Sequence, residues 1–78
     1  MGTKLRITFN AEGHFSDGRK AVISEVCGSV WDELIIDSDR WYRCNTAQEQ
    51  EAILLGTARN RYPEVNWEYA SYIEIKQA

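Results

Sequence analysis

Two segments near the ends of the chain alternate between apolar and polar residues, and this alternation restricts the fold more than any other feature. In KLRITFN, residues 4–10, the side chains of Leu5, Ile7 and Phe9 fall on one side. In WEYASYIEIK, residues 67–76, one side carries four large apolar or aromatic residues: Trp67, Tyr69, Ile73 and Ile75. Successive side chains of a strand point to opposite faces of its sheet. Both segments are therefore predicted to be strands with one buried face.

The segment that follows the first strand admits two interpretations. AEGH breaks the alternation, and Gly13 is the expected turn residue. Apolar pairs recur every four positions from Val22 onwards, which favours a helix over residues 16–28 that ends at Gly28. Asp17 followed by Gly18 is, however, a strong hairpin signal, and Val, Ile, Ser and Cys are poor helix formers. An extended conformation for residues 16–28 therefore stays open.

The clearest helix begins at Thr46. Thr46 and Glu49 form a T-x-x-E capping box, in which Thr46 accepts from the amide of Glu49 and the Glu49 side chain reaches back to the amide of Thr46. Proline at position 63 disfavours helix just before it, so the helix is predicted to end near Arg61. Gly56 costs about 1 kcal/mol relative to alanine in a helix, and we expect it to mark close packing on a sheet. The apolar side comprises Ile53, Leu54, Leu55 and Ala58.

These elements predict an α+β class for a single domain spanning residues 1–78. Residues 30–45 are expected to form a hairpin, since VWDELIID and RWYRCN flank the turn formers Asp37, Ser38 and Asp39. The order strand, helix, strand, strand, helix, strand favours a ferredoxin-like βαββαβ arrangement, with a four-stranded antiparallel sheet and both helices on one face. If residues 16–28 are extended, the alternative is an antiparallel sheet packed by a single helix.

Charge and hydropathy restrict the partners. The chain has 78 residues and a net charge of −3, which disfavours general binding to phosphate backbones. Its apolar runs are too short to cross a bilayer, and its N-terminus lacks the apolar core of a signal peptide, so we expect a cytoplasmic protein without a membrane partner. Residues 21–39 contain five acids and no Lys or Arg. Four of these acids are predicted to form an acidic rim that steers a basic partner: Asp32, Glu33, Asp37 and Asp39.

The sequence offers little catalytic or metal-binding chemistry. Its single histidine, His14, and its two cysteines, Cys27 and Cys44, lack the paired spacing of zinc ligands. No glycine-rich phosphate loop is present, and nothing brings a cysteine within reach of His14. We therefore predict no catalytic residue, no metal and no cofactor. The cysteines are predicted to be reduced and structural, although spacing alone leaves a disulfide open.

The RWYR stretch, residues 40–43, carries the candidate binding residues. In a central strand, alternation places Trp41 with Arg43 on one face and Arg40 with Tyr42 on the other. Either arrangement leaves one aromatic residue beside one arginine on a sheet face that no helix covers. Interface hot spots are enriched in Trp, Tyr and Arg. The predicted partner-binding set is Arg6, Arg40, Trp41, Tyr42, Arg43 and Tyr72.

The leading hypothesis is a non-enzymatic protein-binding domain that occupies or blocks a site on a larger protein partner, with homodimerisation as a further expectation. Small acidic inhibitors from phages and mobile elements, including anti-CRISPR proteins, share this size and charge, an analogy that no motif supports. The alternative is single-stranded nucleic-acid binding, with bases stacked on the open sheet face. DRWYRCN does not match the aromatic signature of RNA-recognition domains, which places this alternative second.

Overall fold

The α+β class is confirmed by a computed structural model, which describes residues 3–78. Four antiparallel strands form an open sheet in this part of the chain, and β1 is its central strand. One edge of β1 pairs along its length with β4, while β3 and β2 share the other edge. The elements are β1 (Lys4–Phe15), β2 (Lys20–Val22), α1 (Ile23–Val26), β3 (Asp32–Asp37), α2 (Ser38–Tyr42), α3 (Ala47–Arg61) and β4 (Val65–Gln77).

The core lies between one face of this sheet and the helices. Leu5, Ile7 and Phe9 of β1 are buried, as their alternation predicts. They belong to one cluster with buried residues of the helices: Ile23, Trp41, Leu54, Leu55 and Ala58. The even-numbered residues of β1 point to the opposite face, which no helix covers. This face is called the open face below.

The helix predicted for residues 16–28 is wrong, and with it the ferredoxin-like order is not confirmed. A tight turn joins β1 directly to β2, with Gly18 at φ +89° and the Asp17 carboxylate accepting from the Arg19 amide at 3.0 Å. The hairpin signal therefore prevailed, because β2 and α1 bury Ala21 and Ile23 against β1. Gly28, at φ +74°, follows the short helix α1 as a C-terminal glycine. The antiparallel sheet packed by α3 corresponds to the alternative prediction, with two short helices added.

The turn predicted at Gly13 is also wrong, because β1 continues to Phe15. Gly13 lies opposite Trp67 of β4 and is buried. A Cβ added at Gly13 would lie 2.7 Å from the Trp67 Cα and would overlap the Asn66 carbonyl. Glycine is needed here because another backbone approaches closely, which is a role of glycine inside strands.

The hairpin predicted for residues 30–45 is half wrong. Its first arm exists as β3, but Ser38–Tyr42 forms helix α2 instead of a second strand. The Ser38 amide donates to the Thr3 carbonyl at 2.7 Å, which ties the start of α2 to the beginning of the sheet. The helical turn carries Trp41 into the core, where its side chain is 1% exposed.

The prediction of α3 is confirmed, including its N-terminal cap. The Thr46 hydroxyl accepts from the Glu49 amide at 3.2 Å. The Glu49 carboxylate reaches back to the amide of Asn45, at 2.8 Å, one residue earlier than predicted. The expectation of close packing at Gly56 is wrong, since a Cβ there would have nothing within 4 Å.

Two irregularities in β4 change which side chains share a face. The pairing with β1 shifts register between Thr8 and Phe9 and again between Glu12 and Gly13. Tyr69 consequently lies opposite Glu12 on the open face, whereas Tyr72 lies opposite Phe9 on the helix-covered face. The uninterrupted alternation predicted for residues 67–76 is therefore wrong in the middle of the strand, because bulges insert extra residues.

Candidate protein-interaction surface

Helix α2 is fixed to the rest of the domain through Trp41. The indole packs edge-on against the Tyr72 ring, with centroids 5.8 Å apart and an interplanar angle of 85°. Edge-to-face aromatic pairs of this kind are favourable beyond the apolar area that they bury. Tyr72 itself is 50% exposed, so this ring both supports α2 and reaches the surface. Trp41 thus anchors a short helix that would be marginal alone.

The inward direction of Trp41 determines which side chains α2 presents to solvent. Each helical residue is rotated by about 100° from the last, so Arg40 and Tyr42 flank the buried indole and Arg43 lies on the far side. All three side chains are exposed, and Tyr42 is 65% exposed. We call these three residues together with Tyr72 the α2 surface. Four of the six predicted binding residues lie on it.

The arginines of the α2 surface differ from the other cations in their electrostatic surroundings. Six of the nine Lys and Arg residues form ion pairs within the chain: Lys4, Arg6, Arg19, Lys20, Arg61 and Lys76. A seventh, Arg59, donates to the Trp67 carbonyl at 3.2 Å. Within residues 3–78, Arg40 and Arg43 have no carboxylate oxygen within 4.0 Å. No side-chain hydrogen bond within residues 3–78 uses their guanidinium donors, which are therefore open to another molecule.

The predicted acidic rim is not a free surface, because three of its four carboxylates are already paired. Asp37 binds Lys4 at 2.8 Å and Glu33 lies 3.6 Å from Arg6. The hydrogen bond from Lys4, its positive charge and the charge of Arg40 hold the pKa of the Asp37 carboxyl below its usual value. Asp39 is exposed on α2. A binding role for this rim stays a prediction.

The fourth member of the rim, Asp32, lies in a partly buried cluster behind β3. Arg61 binds its carboxylate at 3.1 Å, and the Tyr62 hydroxyl lies 3.5 Å from it. Burial raises the pKa of the Tyr62 phenol, and the nearby Asp32 charge raises it further. The Arg61 guanidinium also donates to the Glu33 carbonyl. These contacts join α3 to β3, which is a structural role.

The remaining two predicted binding residues do not join the α2 surface. Trp41 is buried in the core, and Arg6 lies on the open face opposite Lys76. The expectation that residues 40–43 place one aromatic residue and one arginine on the open face is wrong, because the segment is helical and packs on the other side of the sheet. The exposed aromatic residue of the open face is Tyr69, which the sequence pattern had placed on the buried side.

The open face is instead dominated by paired charges. Arg6 with Glu33, Lys20 with Glu12 and Lys76 with Glu74 lie across it. His14 adds a contact from Nδ1 to the Glu68 carboxylate at 3.0 Å. Because each cation has a carboxylate beside it, this face offers little net positive charge to a phosphate backbone.

The outer edge of β4 is a second feature that alternation did not predict. The first half of this edge is covered by side chains of α3: Glu51 accepts from the Ala70 amide at 3.1 Å, and Arg59 binds the Trp67 carbonyl. Charged side chains are a common way to block a strand edge. The second half carries Tyr72 and Ile73, both about half exposed. No sequence motif marks either half of the edge, because the bulges that determine which way the β4 side chains point leave no clear signal in the sequence.

The described residues contain few groups suited to chemistry. Among residues 3–78, no group of three or more His, Cys, Asp or Glu side chains is placed to hold a metal ion. Cys27 and Cys44 are both free and partly buried, so the predicted disulfide alternative is not found. A depression of about 810 Å³ is an open groove between β3 and α3 that includes Arg40 in its lining.

Comparison of the chain with protein-family models, with curated proteins and with solved structures finds no match in any of the three. None of the described helices is both long and apolar enough to cross a membrane. The structure itself establishes the fold class, α+β with an open antiparallel sheet, and a fold class does not assign a function.

Proposed function

We propose that this chain is a non-enzymatic protein-binding domain and that its α2 surface contacts a larger protein. One observation carries the proposal: among residues 3–78, Arg40 and Arg43 have no ion-pair partner, and they are exposed together with Tyr42 on a helical turn that Trp41 fixes in place. Arginine and tyrosine are among the residues that dominate binding energy at protein interfaces.

Rigidity supports the assignment. A side chain that is ordered before binding loses less conformational entropy when the complex forms. The edge-on contact between Trp41 and Tyr72 orders both the helix and one of the four side chains of the surface. The α2 surface is thus presented on a fixed backbone, with rotamer freedom left in Arg40, Tyr42 and Arg43.

The charge of the α2 surface specifies the partner more narrowly. Unpaired guanidinium groups are complementary to carboxylates, which they bind through two parallel hydrogen bonds. The proposed partner therefore presents acidic side chains, in contrast to the basic partner expected from the acidic rim. We further propose that the domain inhibits its partner by covering a functional site, as small phage-encoded inhibitors do. This part of the proposal rests on the size and charge of the chain alone.

Nucleic acid is the competing ligand, since arginine and tyrosine also contact phosphates and bases. The net charge of −3 and the Asp37 carboxylate, whose charge interacts with that of Arg40, count against it. The two ligands differ in salt response, so one experiment separates them.

The test compares proteins captured from a native-host lysate by the wild type, Arg43→Glu and Tyr42→Ala, with Lys20→Glu as the matched control. Lys20 is an exposed cation on β2, away from α2, so its reversal changes the net charge as Arg43→Glu does. We expect a protein that the wild type and Lys20→Glu retain and that both α2 variants lose. Identical profiles for all four chains would count against the α2 surface. Salt-steep binding to single-stranded RNA or DNA that Arg43→Glu abolishes would favour nucleic acid instead.

A further inference from the structure

The second half of the β4 edge has backbone groups that no part of the described chain binds. The Ala78 amide donates to the Lys4 carbonyl at 2.9 Å. In an antiparallel ladder, residues alternate between bonding their neighbour and pointing away from it. Residues 74, 76 and 78 therefore bond to β1, while Ile75 and Gln77 direct their N–H and C=O groups outward. Among residues 3–78, Glu51 and Arg59 cover only the earlier part of the edge.

We propose that two copies of this chain pair through this edge, with residues 73–77 of each β4 antiparallel about a two-fold axis at Ile75. In this register Ile75 faces Ile75 of the second copy, and the two exchange backbone hydrogen bonds in both directions. Ile73 of each copy faces Gln77 of the other. The two sheets then form one continuous sheet, which is a common mode of strand addition.

Charge complementarity indicates that the segment pairing with this edge of β4 belongs to a second copy of the same chain. Glu74 and Lys76 point to the open face, where they lie 3.1 Å apart within one chain. In the proposed register, Glu74 lies opposite Lys76 of the second copy, and the two-fold axis repeats the pair. These are non-hydrogen-bonded positions, where facing Cα atoms are about 4.5 Å apart and side chains interact most closely.

The same charges exclude the neighbouring registers. A shift of two residues in one direction places Glu74 opposite Glu74 of the second copy. The opposite shift places Lys76 opposite Lys76. Like charges that face each other directly across strands are destabilising. The register centred on Ile75 is therefore the one in which both charged positions meet opposite charges.

The apolar side of the edge supports the same pairing. Ile75 is partly buried and lines a depression of about 350 Å³ together with Leu5 and Tyr42. The Ile75 side chain of the second copy lies beside this depression and covers apolar surface that a monomer leaves in water. Trp67 and Ala70, whose edge groups α3 binds, fall outside the paired stretch, so α3 does not obstruct it.

The test uses charge reversal at positions 74 and 76, with molar mass measured by light scattering across a concentration series. The wild type is expected to shift from monomer to dimer as concentration rises. Glu74→Lys and Lys76→Glu are each expected to weaken the dimer by about tenfold or more, because each places like charges opposite one another at both symmetry-related positions. Glu64→Lys is the matched control, since Glu64 is exposed and lies in the loop before β4.

The decisive experiment mixes the two charge-reversal variants, Glu74→Lys and Lys76→Glu. One chain then carries two lysines at these positions and the other two glutamates, so the heterodimer regains both cross-strand pairs while neither chain regains its own internal pair. We expect native mass spectrometry to find the heterodimer at concentrations where each variant alone is monomeric. A wild type that stays monomeric throughout, a dimer that both single variants retain, or a mixture that forms no heterodimer would each overturn the proposal. None of these results depends on whether the α2 surface binds a larger protein.

Discussion

The Trp41 indole meets the Tyr72 ring edge-on, with 5.8 Å between the ring centroids, and this contact joins α2 to β4 across the core. Trp41 is almost fully buried, whereas half of the Tyr72 surface is exposed. The contact therefore links the packing of the domain to the surface that we propose for binding. Substitutions at the two positions should separate these roles.

Trp41→Ala is expected to lower the free energy of unfolding by about 3–5 kcal/mol, since it removes a large buried side chain and leaves a cavity. Tyr72→Ala should lower it less because the ring is half exposed. A double-mutant cycle measured by urea unfolding should give a coupling of about 0.5–1.5 kcal/mol between the rings. A coupling near zero would show that the edge-on contact adds nothing to burial. Trp41→Phe, which keeps an aromatic ring, serves as the milder variant.

Gly13→Ala and Gly56→Ala should shift stability in opposite directions. A Cβ at Gly13 would press on the backbone of Asn66 and Trp67, so we expect a loss of about 1–3 kcal/mol from overpacking. Gly56 lies in α3 with open space around it, so alanine there should add about 1 kcal/mol through helix propensity. Thermal unfolding of both variants tests the pair. A destabilised Gly56→Ala would mean that the groove beside α3 needs the glycine.

Loss of the cap at Thr46 should weaken α3. Thr46→Ala removes the acceptor of the Glu49 amide and is expected to lower the free energy of unfolding by about 1 kcal/mol. Gln48→Ala is the control, because Gln48 is exposed in the same helical turn. Guanidinium unfolding followed by circular dichroism measures both. Equal effects of the two substitutions would argue that the hydroxyl contributes no capping bond.

Acid should remove a stabilising contribution of Asp37. Its pKa is lowered in the folded chain, chiefly by the hydrogen bond from Lys4. A carboxyl with a depressed folded pKa stabilises the fold above its unfolded pKa, about 3.9. The contribution is lost as pH falls below that value and through the folded pKa. The pair is exposed, so the effect is small. Unfolding measured from about pH 5 to pH 2 should show a shallower acid loss for Asp37→Asn than for the wild type. Superimposable curves would mean that groups other than Asp37 cause the loss of stability at acid pH.

Local signals in the sequence predicted a large part of the fold. Thr46, Glu49 and Pro63 delimit α3 because capping and the backbone restriction before proline act over a few residues. The buried residues of β1 follow from their alternation, since one side of a half-buried strand must be apolar. Asp17 and Gly18 mark the first turn, and this local hairpin signal outweighs the competing helical periodicity of residues 16–28.

The candidate site was predicted in composition but not in arrangement. Residue type alone predicts four members of the α2 surface, which lie on one exposed side of α2 or next to its anchor: Arg40, Tyr42, Arg43 and Tyr72. Their predicted placement on a sheet face was wrong. A five-residue segment with two aromatic residues has no periodicity long enough to distinguish strand from helix, so its neighbours in space decide.

Local sequence patterns therefore suffice to predict the long helix, the two long strands and the α+β class, because each depends on residues close together in the chain. Three further features depend on tertiary contacts: the helical conformation of residues 38–42, the bulges that exchange the faces on which Tyr69 and Tyr72 lie, and the need for glycine at position 13. Each of these depends on contacts with residues far away in the sequence: Trp41 with Tyr72, β4 with β1, and Gly13 with Trp67. The energy of burial and the steric overlap between distant segments determine these three features, and neither quantity can be read from a local sequence pattern.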